Sequence, residues 1–134
     1  MPKQTKVIVV EDDNAMREIS VRKLSSAGFT VHDAQDGKEG LAVIEREKPD
    51  LVMLDLMMPE MDGFAVLEAL RKNPDPQIAN VPIIVLSNIW SSNDILRVKS
   101  YNVDEYLVKA YFTPDEILGK IKEVLARRQA KIQP

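Results

Sequence analysis

Five side chains in this sequence could do chemistry together. Glu11 and Asp12 follow the run VIVV, Asp55 follows LVML, Ser87 follows IIVL and Lys109 follows YLV. Each apolar run reads as a strand, so each of these residues stands at a strand's carboxyl end. Open parallel sheets bind ligands outside those ends, where strand order reverses. If the first and third strands are neighbours, Glu11, Asp12 and Asp55 converge. Like charges ~4 Å apart at an effective dielectric near 20 repel by about 4 kcal/mol before screening. A hard divalent cation relieves that repulsion, and an all-oxygen site that keeps its waters suits Mg²⁺. Lys109 offers the second source of relief. A carboxylate held beside Mg²⁺ and already ionised can attack a phosphoryl group in line and become an acyl phosphate. Lys109 and the Ser87 hydroxyl would take the remaining phosphoryl oxygens. Asp55 is then tolerated at the end of a buried run because it faces a metal and a lysine at the strand's wet end.

The elements that must place these residues are legible as five apolar runs: Val7 to Val10, a weaker Phe29 to Val31, Leu51 to Leu54, Val81 to Leu86 and Tyr106 to Val108. Segments with helical spacing alternate with them. Met16, Ile19, Leu24 and Ala27 share a face, and Gly28 stops that helix. Leu41 and Ile44 mark a second, ended before Pro49. Phe64, Leu67 and Leu70 mark a third, and Ile95 and Val98 a shorter fourth. Ile117, Ile121, Val124 and Leu125 mark a fifth, with Thr113 as N-cap and Pro114 as its first residue. The first, third and fourth runs are apolar throughout, as required when helices cover both faces of a parallel sheet. The fold class is α/β, a doubly wound five-stranded parallel sheet with right-handed crossovers. The stretch NPDPQIAN, residues 73–80, reads as a loop inside one domain. The whole chain, 1–134, reads as a single domain with a core of about 6–127 and a short tail.

Composition removes other classes. The 134 residues are 45% hydrophobic, which suffices for one core. Eighteen basic and 21 acidic residues give a net charge of −3, which argues against broad nucleic-acid binding, since that needs a basic face. There is no cysteine and one histidine, His32, which excludes thiolate and multi-histidine metal sites. No apolar run approaches the ~20 residues of a membrane span, and cytoplasmic residence is the default expectation. Asp13 reads as a solvated or capping acid for the first helix. Met53, Met57, Met58 and Met61 read as packing. Lys120, Lys122, Arg127 and Arg128 read as the solvated face of the last helix. An exposed Trp90 would mark a partner surface.

The segments VIVVEDD, VMLDLMMPEMDGF, IIVLS and YLVK together resemble the receiver domain of two-component response regulators, from about Lys6 to Arg127. The resemblance implies flavodoxin-like strand order, 2-1-3-4-5. It implies that Asp55 is the phosphoacceptor. Glu11, through water, and Asp12 would hold Mg²⁺, with the backbone carbonyl of Met57 completing the site. Ser87 would be the switch hydroxyl, Tyr106 the switch aromatic and Lys109 the phosphate-sensing lysine. The partners implied are a sensor histidine kinase or phosphotransfer protein, and a downstream protein or effector domain. Output passes through the face built from the fourth helix, fifth strand and fifth helix, which could also form a homodimer. Neither nucleic acid nor membrane is contacted directly. No effector domain is expected in the few residues after the last helix.

Two departures from the family pattern stand out. Ala110 follows Lys109 where the family usually has proline in a cis peptide, and a cis bond before a non-proline costs ~3 kcal/mol. Asn88 follows the switch hydroxyl where a small residue is usual. Met57 and Ile89, two positions beyond Asp55 and Ser87, are apolar and orient water poorly, so self-dephosphorylation is expected to be slow and the chain is not a turnover enzyme. Two rival readings compete: a degenerate receiver serving as a phosphorylation-independent scaffold, and a Mg²⁺-dependent phosphohydrolase, which lacks any insertion long enough for a cap.

Overall fold

Every apolar run of the sequence becomes a strand in the computed structural model, which describes residues 4–58, 61–88 and 91–132. The elements are β1 (Lys6–Val10), α1 (Asn14–Ser26), β2 (Thr30–Ala34), α2 (Gly37–Glu47), β3 (Leu51–Asp55), α3 (Gly63–Arg71), α4 (Pro76–Ala79), β4 (Ile83–Ser87), α5 (Ser92–Lys99), β5 (Glu105–Val108) and α6 (Pro114–Ile132). A 3₁₀ turn, Lys109–Tyr111, joins β5 to α6. The expected fourth and fifth helices are α5 and α6. The sheet is parallel throughout, in the order β2-β1-β3-β4-β5. Strand order reverses between β1 and β3, so the crevice at their carboxyl ends is the place for a ligand.

Alternation along each strand feeds two cores. Ile8, Val10, Val52, Leu54, Ile83 and Val85 meet α2, α3 and α5 through Ile44, Leu67, Leu70 and Val98. Val7, Val9, Leu51, Met53, Ile84 and Leu86 meet α1 and α6 through Leu24, Ile121 and Val124. Burying both faces is what demands the unbroken apolar runs of β1, β3 and β4. Acids begin the helices: the side chains of Asp13, Asp36, Asp62 and Asp75 accept the N–H groups of Met16, Glu39, Ala65 and Gln77. Asp13 is therefore a cap, as expected. Thr113 and Glu116 form a reciprocal capping box at α6: Glu116 N–H donates to Thr113 Oγ1 and Thr113 N–H to Glu116 Oε1. Gly28 ends α1 with φ 99°, a backbone conformation that disfavours a side chain.

The structure differs from the sequence expectation in several places: Arg128, expected on a solvated face, pairs with Asp104, and Met57, expected as packing, is exposed. Residues 73–80 contain a helical turn, α4, with Asp75 as cap and Pro76 inside its start; its Ile78 is buried. A proline there begins a helix rather than preventing one. β2 starts at Thr30 and runs into TVHDA, because this edge strand is set by its pairing with β1 and needs no apolar run. Along α1, Leu24 is buried, whereas Met16 and Ile19 are 40% and 48% exposed. They line a groove between α1 and α6 that neither helix fills.

Candidate functional site

The register brings the acids together. Val10 pairs with Leu54 in the β1–β3 ladder, so the next residues, Glu11 and Asp55, lie side by side. Glu11 stays in line because its N–H donates to Ala34 O at 3.0 Å. Glu11 and Asp55 are buried, Asp12 is exposed, and ligand oxygens from all three lie within 4.8 Å of one another. The β4–β5 ladder ends at Ser87 and Val108, which sets Lys109 at the mouth of the same crevice. Its Nζ donates to Glu11 Oε1 at 2.6 Å and Asp55 Oδ2 at 3.0 Å. Lys109 thus reaches both acids with alanine at 110, and no peptide bond among the described residues is cis.

The loop after Asp55 is held against the pocket. Met57 N–H donates to Asp55 Oδ1 at 3.1 Å, and Gly63 N–H to Leu56 O at 3.0 Å. A Cβ at Gly63 would come within 2.5 Å of Leu56 Cα and 2.7 Å of Asp55 O, so only glycine lets α3 start this close to the strand. Met57 itself is 63% exposed at the rim.

Charge is unevenly matched: three carboxylates share one ammonium. Burial raises the Glu11 carboxyl above its ordinary value, its hydrogen bond and like charge with Asp55 raise it further, and Lys109 only partly opposes this. Burial opposes the charge on Lys109, but Glu11 and Asp55 outweigh it and hold the ammonium protonated. A crowded, hard-oxygen, net anionic cradle matches the donor chemistry of a divalent cation such as Mg²⁺.

Ser87 and Tyr106 occupy the other side of the sheet. Ser87 alternates with Leu86, whose side chain enters the α1–α6 core, and Tyr106 packs against the α2–α3–α5 core. Ser87 is fully buried, and its side chain hydrogen-bonds with the Tyr106 phenol. Burial raises the phenol's pKa, partly offset by that bond. The sequence-predicted residues are therefore brought to one pole in two groups: acids and lysine towards α1 and α6, hydroxyl and phenol towards α5. Ile89 and Trp90 lie outside the described residues.

Arg17 is the residue that sequence reasoning missed. Its guanidinium donates to Glu11 O at 2.8 Å, to Asp33 Oδ2 at 3.1 Å and to Asn14 Oδ1, pinning the acidic loop to α1 and β2. A cation in the first turns of a helix opposes the macrodipole, which was a local hint that it serves something else.

The chain is similar to known proteins along most of its length. Residues 7–122 match the family model described as "Response regulator receiver domain". The chain is 40% identical over 122 residues to "Probable transcriptional regulator ycf27" of Porphyridium aerugineum, covering 91% of this chain and 48% of that protein. It is 34% identical over 122 residues to "DNA-binding dual master transcriptional regulator RpaA" of Synechocystis, covering 91% and 49%. The chain thus spans about half the length of the curated relatives it matches. Among solved structures it is similar to the chemotaxis protein CheY4 of Vibrio cholerae, with TM-score 0.83, 30% identity and coverage of 91% of this chain and 99% of that one. A CheY-like receiver domain protein of Methanospirillum hungatei superposes with TM-score 0.88, 27% identity and coverage of 96% and 99%.

Proposed function

The chain belongs to the family of response regulator receiver domains, and on that premise we propose that it accepts a phosphoryl group on Asp55 from a phosphohistidine of a sensor histidine kinase or phosphotransfer protein. The observation that carries this reading is the convergence of Glu11, Asp12, Asp55 and Lys109 at one crevice. Asp12, Asp55, the Met57 carbonyl and, through water, Glu11 are the proposed holders of Mg²⁺. When bound, the ion offsets the charge on the phosphoryl oxygens. A carboxylate oxygen of Asp55 forms the new P–O bond in line as the P–N bond of the donor breaks, and the imidazole nitrogen leaves with the electron pair. Lys109 shifts from the carboxylates to a phosphoryl oxygen, and Ser87 donates its hydroxyl to another. The Ser87–Tyr106 hydrogen bond is then remade, which carries the change to the α5–β5–α6 face.

Exposed Met16 and Ile19 form an apolar shoulder on the groove that Lys109 also lines, and we assign that shoulder to docking of the donor. Exposed Leu96 and the Arg127–Glu105 ion pair belong to the output face, which we assign to a downstream protein, an effector domain or a second copy of this chain. Among the described residues no helix is long and apolar enough to cross a membrane. The domain itself contacts no nucleic acid in this reading, and it is not a turnover enzyme.

Intact mass after acetyl phosphate treatment with Mg²⁺ tests the proposal. The wild type should gain one phosphoryl group and Asp55→Asn none. An unmodified wild type would favour the scaffold reading instead. The modified protein should persist for minutes or longer; loss within seconds, or no acceleration by Met57→Asn with Ile89→Glu, would overturn slow self-dephosphorylation.

A further inference from the structure

Asn88 and Ala110 are separate oddities in the sequence, yet they are partners in the structure. Asn88 Oδ1 accepts the backbone N–H of Ala110 at 3.1 Å, bridging 22 residues. The main-chain ladder between β4 and β5 stops at Ser87 and Val108. The Asn88 side chain therefore supplies a further tie just beyond the last rung. What it ties is the short 3₁₀ turn that begins at Lys109. That turn has weak internal support, since Phe112 N–H reaches Lys109 O only at 3.4 Å. An alanine at 110 presents an N–H that a proline would lack, and Asn88 presents the acceptor that meets it. One residue is intelligible only in the presence of the other.

We propose that Asn88 is a positioning residue for Lys109: its side-chain carbonyl latches the turn after β5 and so sets where the ammonium stands relative to Asp55. Because Asn88 directly follows Ser87, any displacement of Ser87 towards a phosphoryl group also pulls on the latch. The hydroxyl and the lysine then move as linked parts rather than independently. This rests on the reading of Asp55 as phosphoacceptor.

A double-mutant cycle with Asn88→Ala and Lys109→Met tests it, reading the rate of phosphoryl uptake from acetyl phosphate at saturating Mg²⁺ alongside the urea midpoint. Asn88→Ala alone should slow uptake by about threefold to tenfold, the span that one hydrogen bond of ordinary net strength commands, with little change in midpoint. In the Lys109→Met background the same change should do nothing further, because there is no ammonium left to place. Full additivity of the two effects, or no slowing by Asn88→Ala, would overturn the proposal. A second readout needs no phosphoryl group. The Ala110 amide proton should exchange slowly in the wild type and lose its protection in Asn88→Ala; equal exchange in both would also overturn it. A wild type that takes no phosphoryl group defeats the Asp55 reading, and the amide measurement then still judges the latch.

Discussion

The two ends of the sheet handle buried charge in opposite ways. At the amino ends of β4 and β5, Asp104 receives Arg128 through two hydrogen bonds of 2.7 and 2.9 Å and the N–H of Ile83 at 3.1 Å. Nearby, Arg71 donates to the backbone carbonyls of Tyr101, Ala79, Val81 and Asn102 at 2.7 to 3.0 Å. Charges there are matched to acceptors and donors, and the groups serve to tie α3 and α6 to the end of α4 and to the two connections that enter β4 and β5. At the carboxyl ends, Glu11, Asp12 and Asp55 outnumber Lys109. The direction in which each pole shifts its carboxyl follows the contrast. Burial pushes Asp104 up, but Arg128 and the Ile83 N–H outweigh it and leave the carboxyl below its ordinary value. Glu11 moves the other way. A satisfied pole stabilises the fold, and a pole left with excess negative charge waits for something positive.

Breaking the satisfied pole should have the largest effect. Arg71→Met leaves four carbonyls short of a donor and should destabilise the protein by about 2–4 kcal/mol in urea unfolding. A loss below about 0.5 kcal/mol would mean that water replaces the guanidinium without penalty.

Asp104→Asn should destabilise by a smaller amount, about 1–2 kcal/mol at neutral pH after allowance for solvent. Its pH dependence follows from the sign of the shift. A carboxyl depressed in the folded state contributes stability above its unfolded value of ~3.9, and that contribution is lost as pH falls through the folded value. Urea midpoints of wild type and variant should therefore differ by a constant amount between pH 5 and 8 and converge below about pH 4. A gap that widens in acid would contradict the assigned direction.

At the opposite pole the sign should reverse. Without divalent cation, Asp55→Asn removes one of three crowded acids and should stabilise the protein by about 1 kcal/mol. Adding Mg²⁺ should raise the melting temperature of the wild type more than that of the variant, erasing the gain. Equal responses to Mg²⁺ would leave the two poles electrostatically alike and remove the basis of the comparison.

Much of the candidate site was readable because its acids, hydroxyl and lysine each follow a recognisable apolar run by one or two positions. Asp55 after LVML and Lys109 after YLV needed only the rule that parallel strands present their carboxyl ends together. Arg71, by contrast, looks like an ordinary basic residue closing a helix; its acceptors lie 8 to 31 residues away. The exposure of Met16 and Ile19 was equally hidden, since helical spacing shows that residues share a face but not whether α6 comes close enough to cover it. The Asn88–Ala110 pairing had no local signal, because neither residue accounts for its partner until the ends of β4 and β5 are adjacent.

Apolar periodicity and the residues at the ends of each run thus determined, by themselves, the strands, the two covered faces and the set of acids, hydroxyl and lysine that could act together. These are local quantities, written in the order of neighbouring residues. Only the tertiary structure decided which charges are matched, which apolar side chains remain uncovered and which side chain holds the lysine's turn. Those outcomes depend on contacts between segments tens of residues apart, and their energies follow distance and solvent access rather than sequence spacing.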